Sequence, residues 1–326
     1  MSVSGALRRA VAVLDEHVVA RYGVRREGPS LITLLFHGLF EGDAEIATET
    51  VHPQEAVTVA SFRRILNCFG AAGYRFVSLA DIVGGLEHPG RYACITFDDG
   101  YANNLRALTP LEEYCAPAAI FVTTGNVRTG RRFWWDVVHH ERHKRGASAT
   151  SISSEIRFLE SQTPDSIARY LTDAFGESAL DPRGDLDRPL TRAELQRLAA
   201  HDLVTIGNHT VDHVMLTRVG SDTANRQLVD AQDYLETCTG VRPLAVAYPE
   251  GAYSAAVLDI ARDVGFSCCF TTIPRKERIP VSAERLIALG RFQLDGRRDI
   301  ESQIRVVRSE LQLANALRRA RTRAPA

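Results

Sequence analysis

Residues 92–100 read Tyr-Ala-Cys-Ile-Thr-Phe-Asp-Asp-Gly, an apolar run that stops abruptly at two carboxylates and a glycine. A short continuous apolar run, without polar alternation, fits a strand buried on both faces, as in parallel sheets covered by helices. The pattern recurs at 31–36, 118–123, 203–207, 244–248 and 267–271. Helical patterns stand between the strands. At 61–73, Phe62, Ile65, Leu66 and Phe69 share one face behind Ser61 as N-cap; Phe76-Val77 then begins an extended segment, and a further helix is expected over 103–114. Alternating strands and helices predict an α/β chain built on a parallel sheet or barrel.

The alternation lapses over 126–191, a polar stretch holding Phe133, Trp134 and Trp135. It is too long for an ordinary connection and is expected to be an inserted helical segment. Residues 1–30 are assigned to an N-terminal helix packed on the main body, with Leu7, Val11, Leu14, Val18 and Tyr22 at helical spacing. Residues 31–299 form the main unit, and 300–326 a helix with a basic tail.

The formal charge of −1 excludes a general attraction to nucleic acid or anionic membrane. The six cysteines show no zinc-knuckle spacing and read as reduced thiols. Asp15, Glu16 and His17 interrupt the first apolar stretch, which therefore lacks a signal-peptide core, and no run is long enough to span a bilayer. A cytoplasmic protein is expected; nothing in the composition fixes its oligomeric state.

The chemistry gathers at strand ends. In Asp98-Asp99, one carboxylate can bind a cation while the other stays free to accept a proton from water. Capping of a following helix is the alternative use. Gly207-Asn208-His209-Thr210-Val211-Asp212-His213 follows another strand and spaces two imidazoles by four, so one helical turn would put both on one face. Two imidazoles and a carboxylate leave open positions for water and substrate. By contrast, Arg142, Lys144 and Arg145 surround His139, His140 and His143, which read as a solvated helix face. Trp134 and Trp135 can anchor the insertion or line a sugar site, and Asp136 can reach substrate or cap a helix. His52, His88 and His201 have no partner motif.

Thr96-Phe97-Asp98-Asp99-Gly100 and His209-Thr210-Val211-Asp212-His213 together resemble the first two motifs of the polysaccharide deacetylase family, the NodB-homology or carbohydrate esterase family 4 group. The resemblance spans roughly residues 31–292 outside the insertion and implies a distorted (β/α)7 barrel. Carried over, Asp98 is the general base, and Asp99, His209 and His213 hold one divalent metal ion. Zn2+ is the default, with Co2+, Ni2+, Mn2+ and Fe2+ as alternatives. Ala247-Tyr248-Pro249-Glu250-Gly251 resembles the family's third motif and would offer the Glu250 N–H to the oxyanion; a plain Pro-Gly turn is the alternative.

Two departures matter. Ala247 stands where the family often carries an arginine that orients the base, and the late leucine-x-histidine segment is absent. A circularly permuted branch, typified by poly-N-acetylglucosamine deacetylases, draws its acid histidine from an N-terminal strand, and Leu34-Leu35-Phe36-His37-Gly38 resembles that element. This implies His37 as the general acid, unless it is simply a buried hydrogen-bonded histidine. Gly290-Arg291-Phe292 resembles the branch's late element, so Arg291 can replace the missing cation beside Asp98 or lie at the surface.

The implied reaction removes an N-acetyl group from an amino sugar, releasing acetate and a free amine. The expected substrate is an N-acetylated sugar or oligosaccharide, or a nucleotide- or lipid-linked sugar within glycan biosynthesis, as the interrupted first apolar stretch predicts no export. Hydrolysis of a non-sugar amide, such as a formamide or cyclic imide, is one alternative. A non-catalytic glycan-binding relative is another; the free Asp98 argues against it.

Overall fold

The computed structural model describes residues 27–86 and 89–309, together with Val18 and Val24. At its centre are β1 (Ser30–Phe36) and β3 (Arg91–Phe97), parallel and in unbroken register from Ser30 opposite Arg91 to Phe36 opposite Phe97. His37 and Asp98 therefore leave the sheet side by side, tied by Asp98 N–H donating to the Phe36 carbonyl at 2.9 Å. That register follows from apolar side chains on both faces of each strand, which must be buried together.

The sheet continues through β4 (Ala118–Val122), β5 (Val204–Asn208), β6 (Ala245–Ala247) and β7 (Cys268–Phe270), each parallel to the last. On the other side of β1 lie β9 (Phe292–Gln293), parallel, and β8 (Glu277–Arg278), antiparallel. The short β2 (Arg75–Phe76) adds to β3. Leu289 also bridges Phe270, so the segment 289–293 reaches from β7 at one edge to β1 near the other and curls the sheet. The expected parallel α/β architecture is present as a curled half-barrel with helices around it.

Helix Val59–Ala71 buries Phe62, Ile65, Leu66 and Phe69, as their spacing predicts, but its cap differs from the expectation. Thr58 is the N-cap and accepts from Ser61 N–H; Ser61 lies inside the first turns. The helix expected over 103–114 is a tight 3-10 stretch, Ala102–Ala107, followed by Leu108–Glu113. In that stretch Asn103 accepts from Leu39 N–H and Asn104 donates to the His37 carbonyl, binding it to the loop after β1.

Between β4 and β5 the insertion is helical, as expected. Helices Trp134–Lys144, Ala149–Leu159 and Pro164–Phe175 pack Val137, Val138, Leu159, Ile167 and Leu171 into a small core of their own. Arg132 and Asp187 pin its two ends together through a fully buried ion pair at 2.8 Å. Helix Ile300–Arg308 buries Ile304 and Val307 in the main core beside Val59–Ala71. The predicted helix at 5–22, His88 and the basic tail lie outside the described residues. No helix among the described residues is long and apolar enough to cross a membrane.

Candidate active site

All the sequence-predicted site residues gather at the C-terminal ends of the parallel strands. Asp99, His209 and His213 each offer a ligand atom within 4.8 Å of the others, a cluster able to hold a metal ion. Asp99 Oδ1 lies 3.5 Å from Nε2 of both imidazoles. Both Asp99 oxygens are buried, and neither has a hydrogen-bond partner among the described residues. Orphaned carboxylate oxygens in a closed site are costly, and a cation facing them removes that cost. The donor set therefore fits a divalent ion.

The histidines do not sit on a helical turn, as their spacing suggested. After β5 the chain turns through left-handed backbone at Thr210 (φ 67°) and His213 (φ 54°). Asn208 Oδ1 accepts from Thr210 N–H, and Gln227 accepts from both Val211 and Asp212 N–H, so side chains satisfy what a helix would have paired internally. Gly125 permits the close approach, because a Cβ there would lie 2.7 Å from the Val211 carbonyl. Asp99 (φ 72°) and Glu250 (φ 56°) share the strained conformation. Such outliers cost on the order of 1–3 kcal/mol each and persist where the surroundings hold them.

His209 Nδ1 meets the Ala247 carbonyl at 2.8 Å, which assigns a ring proton to Nδ1 and turns Nε2 toward Asp99. Burial favours the neutral ring, yet the charges of Asp98 and Asp99 outweigh it and raise the His209 pKa. Burial and repulsion from His209 bring His213 down to about 4, so it is neutral at neutral pH with a lone pair available. Burial also opposes ionisation of Asp99, but the neighbouring histidines win and hold its carboxyl at about 2. Both states are those that ligation requires.

Asp98 lies 3.9 Å from His209 Nε2. Arg291 NH1 and NH2 each donate to one Asp98 oxygen at 2.7 Å, and the Arg291 side chain is fully buried. The guanidinium overcomes the burial of Asp98 and lowers its pKa. Arg291 is thus no surface residue: its buried guanidinium lies directly against Asp98.

His37 Nδ1 lies 2.8 Å from Glu55 Oε2. Burial disfavours its charge, but Glu55 more than compensates and, with Asp99 and Asp98, pushes the imidazole up to about 10. Gln293 donates to the other Glu55 oxygen. Glu55 carried no motif in the sequence; only the fold brings it across from the loop after β1. Glu250 faces the same cleft as His213, Trp134 and Glu160. Its carboxyl reaches solvent, yet the crowding walls and the Glu160 charge raise it to about 7. Gly251 (φ 66°) follows, packed so closely that a Cβ would lie 2.3 Å from Thr272 N.

The insertion contributes more than expected. Trp135 is buried against His213, with ring centroids 4.7 Å apart, while Trp134 lines the cleft. Asp136 caps no helix: it is buried and accepts from Tyr101 and from His52 N–H. Of the histidine face expected to be solvated, His143 is exposed and His140 half-buried, but His139 is buried. His139 and His140 meet Glu49, a partner far away in sequence, at 2.7 and 3.1 Å.

The family described as polysaccharide deacetylase matches residues 85–269, more than half of the chain. No curated protein matches it. Among solved structures, Streptococcus pyogenes deacetylase PplD in complex with acetate is 20% identical, with a TM-score of 0.58 over 85% of this chain and 98% of that one. IcaB from Ammonifex degensii is 18% identical, at 0.58 over 86% and 98%. The BpsB deacetylase domain from Bordetella bronchiseptica is 17% identical, at 0.53 over 82% and 96%. At these identities the likeness is one of fold. With the family match running through both the Asp98-Asp99 and the His209–His213 segments, the chain belongs to the polysaccharide deacetylase family.

Proposed function

We propose that this protein removes the N-acetyl group from an amino sugar in a glycan or glycan precursor, with a divalent cation held by Asp99, His209 and His213. One observation carries the reading: a free carboxylate, Asp98, is locked by Arg291 beside the ligand cluster, 3.9 Å from His209 Nε2. A pure binding site needs no such base. Zinc is the ion we favour, because its sites accept mixed imidazole and carboxylate ligands. When bound, a cation of this kind polarises the acyl carbonyl and makes water more acidic.

The chain's own residues do the rest. Asp98 accepts the proton of the attacking water, and the two bonds from Arg291 keep it ionised and aimed. Glu250 N–H, on the strained loop after β6, donates to the oxygen that gains negative charge; a fixed donor of this sort is worth about 3–4 kcal/mol. His37, charged through Glu55, gives its Nε2 proton to the departing amine, and acetate and a free amino sugar leave. Supply of the acid from the first strand and of the arginine from the 289–293 segment favours the permuted branch. We take 31–299 as the catalytic unit, with 126–191 inserted.

The test is acetate release from N-acetylated oligosaccharides and from nucleotide-linked N-acetyl sugars, with and without a chelator. Turnover that stops with chelator and in Asp98→Asn supports the reading. A well-folded, metal-loaded protein that releases acetate from no substrate sinks it.

A further inference from the structure

The two candidate imidazole ligands are held in unlike ways. His209 has the usual anchor, its second nitrogen on the Ala247 carbonyl. Among the described residues nothing hydrogen-bonds either nitrogen of His213, whose ring instead lies between Trp135 at 4.7 Å and His209 at 4.8 Å. Its backbone is left-handed, a conformation the residue does not hold by its own preference. Metal-binding histidines ordinarily gain direction and basicity from a second-layer hydrogen bond. For His213, a side chain packed against its ring, Trp135 at an interplanar angle of 53°, has to supply the direction.

Trp135 is itself fixed. Its Nε1–H donates to Tyr101 Oη at 2.8 Å, Tyr101 donates to Asp136 Oδ2 at 2.7 Å, and Asp136 Oδ1 accepts from His52 N–H at 2.8 Å. Indole has only a donor, so the direction of each bond is forced along the chain while Asp136 is ionised. Phe133 stacks on Trp135, at 5.2 Å. Tyr101 lies two residues past Asp99, whereas Trp135 and Asp136 belong to the insertion. The relay therefore joins the loop that bears one candidate ligand to the wall that braces another.

We propose that Trp135, held by Tyr101 and Asp136, is the positioning residue for His213, so that the insertion sets the affinity of the centre for its cation. This rests on the metal-centre reading above. The experiment is a zinc titration of chelator-stripped protein against a competing fluorescent chelator, beside the melting temperature of the metal-free form. Trp135→Leu is expected to raise the zinc dissociation constant about 10–100-fold. Trp135→Phe, which keeps an aromatic face, should recover part of the loss. Tyr101→Phe removes one hydroxyl and carries the test if Trp135→Leu does not fold; it leaves the Trp135 N–H and one Asp136 oxygen unpaired, so a lower metal-free melting temperature is expected, together with weaker zinc binding measured where the variant is fully folded. Wild-type affinity in folded Trp135→Leu or Tyr101→Phe would overturn the inference. Failure of the wild type to bind zinc or any other divalent ion would instead overturn the metal-centre reading.

Discussion

Arg291 grips Asp98 by both carboxylate oxygens across 193 positions of sequence, and neither side chain is more than 4% exposed. Removing the guanidinium strands a buried charge. Arg291→Met is expected to cost about 3–5 kcal/mol in denaturant unfolding and, by letting Asp98 take up a proton, to lower turnover about 10²–10⁴-fold. Adding Asp98→Asn should recover part of the stability and none of the activity. Additive stability losses in that double-mutant cycle would contradict the coupling.

His37 and Glu55 give a pH signature. The folded-state pKa of His37 is raised from 6.5 to about 10, so its contribution to stability is fully present below 6.5 and is lost as pH rises through 10. Glu55→Gln removes the main cause of the rise. The stability gap between wild type and Glu55→Gln should thus be widest just below pH 6.5 and shrink toward pH 10, as read from denaturation midpoints across that range. In NMR titration of the metal-free proteins, the His37 ring should lose its proton at lower pH in Glu55→Gln.

Cation binding should also stabilise the fold. Added zinc at a hundred times its dissociation constant corresponds to about 2.7 kcal/mol, visible as a higher melting temperature. Asp99→Ala removes both candidate ligand oxygens; alanine fits φ of 72° poorly, so the variant should melt somewhat lower than the wild type without metal and show no rise with it. A zinc-induced rise in Asp99→Ala equal to that of the wild type would place the ion elsewhere.

Gly251→Ala tests the loop after β6. A methyl group there meets Thr272 N at 2.3 Å, and φ of 66° already disfavours it, so the Glu250 N–H must shift. Loss of that donor is expected to lower kcat about 10²–10³-fold with little change in KM. A normal kcat would remove the Glu250 amide from the mechanism.

Legibility followed sequence distance and local chemistry. Asp98, Asp99, His209 and His213 could be found because each ends an apolar run, where buried strands deliver side chains to a rim. The turn at 209–213 is not helical because the Asn208 and Gln227 side chains pair its N–H groups, and no local pattern in the sequence shows those bonds. Glu55, Tyr101 and Glu49 escaped for another reason. Each acts only through a partner, 18, 35 and 90 positions away, that no local pattern links to it. Counting charges near His139 likewise favoured solvent, whereas the carboxylate that matters comes from the loop after β1.

The placement of Arg291 in the 289–293 segment bears on how the protein is made. A ribosome delivers the carboxylates and both imidazoles well before this guanidinium, and until it docks between β7 and β1 Asp98 lacks the partner that grips both of its oxygens. Closing the seam and arming the pocket are therefore one event, which waits until the segment 289–293 has been made.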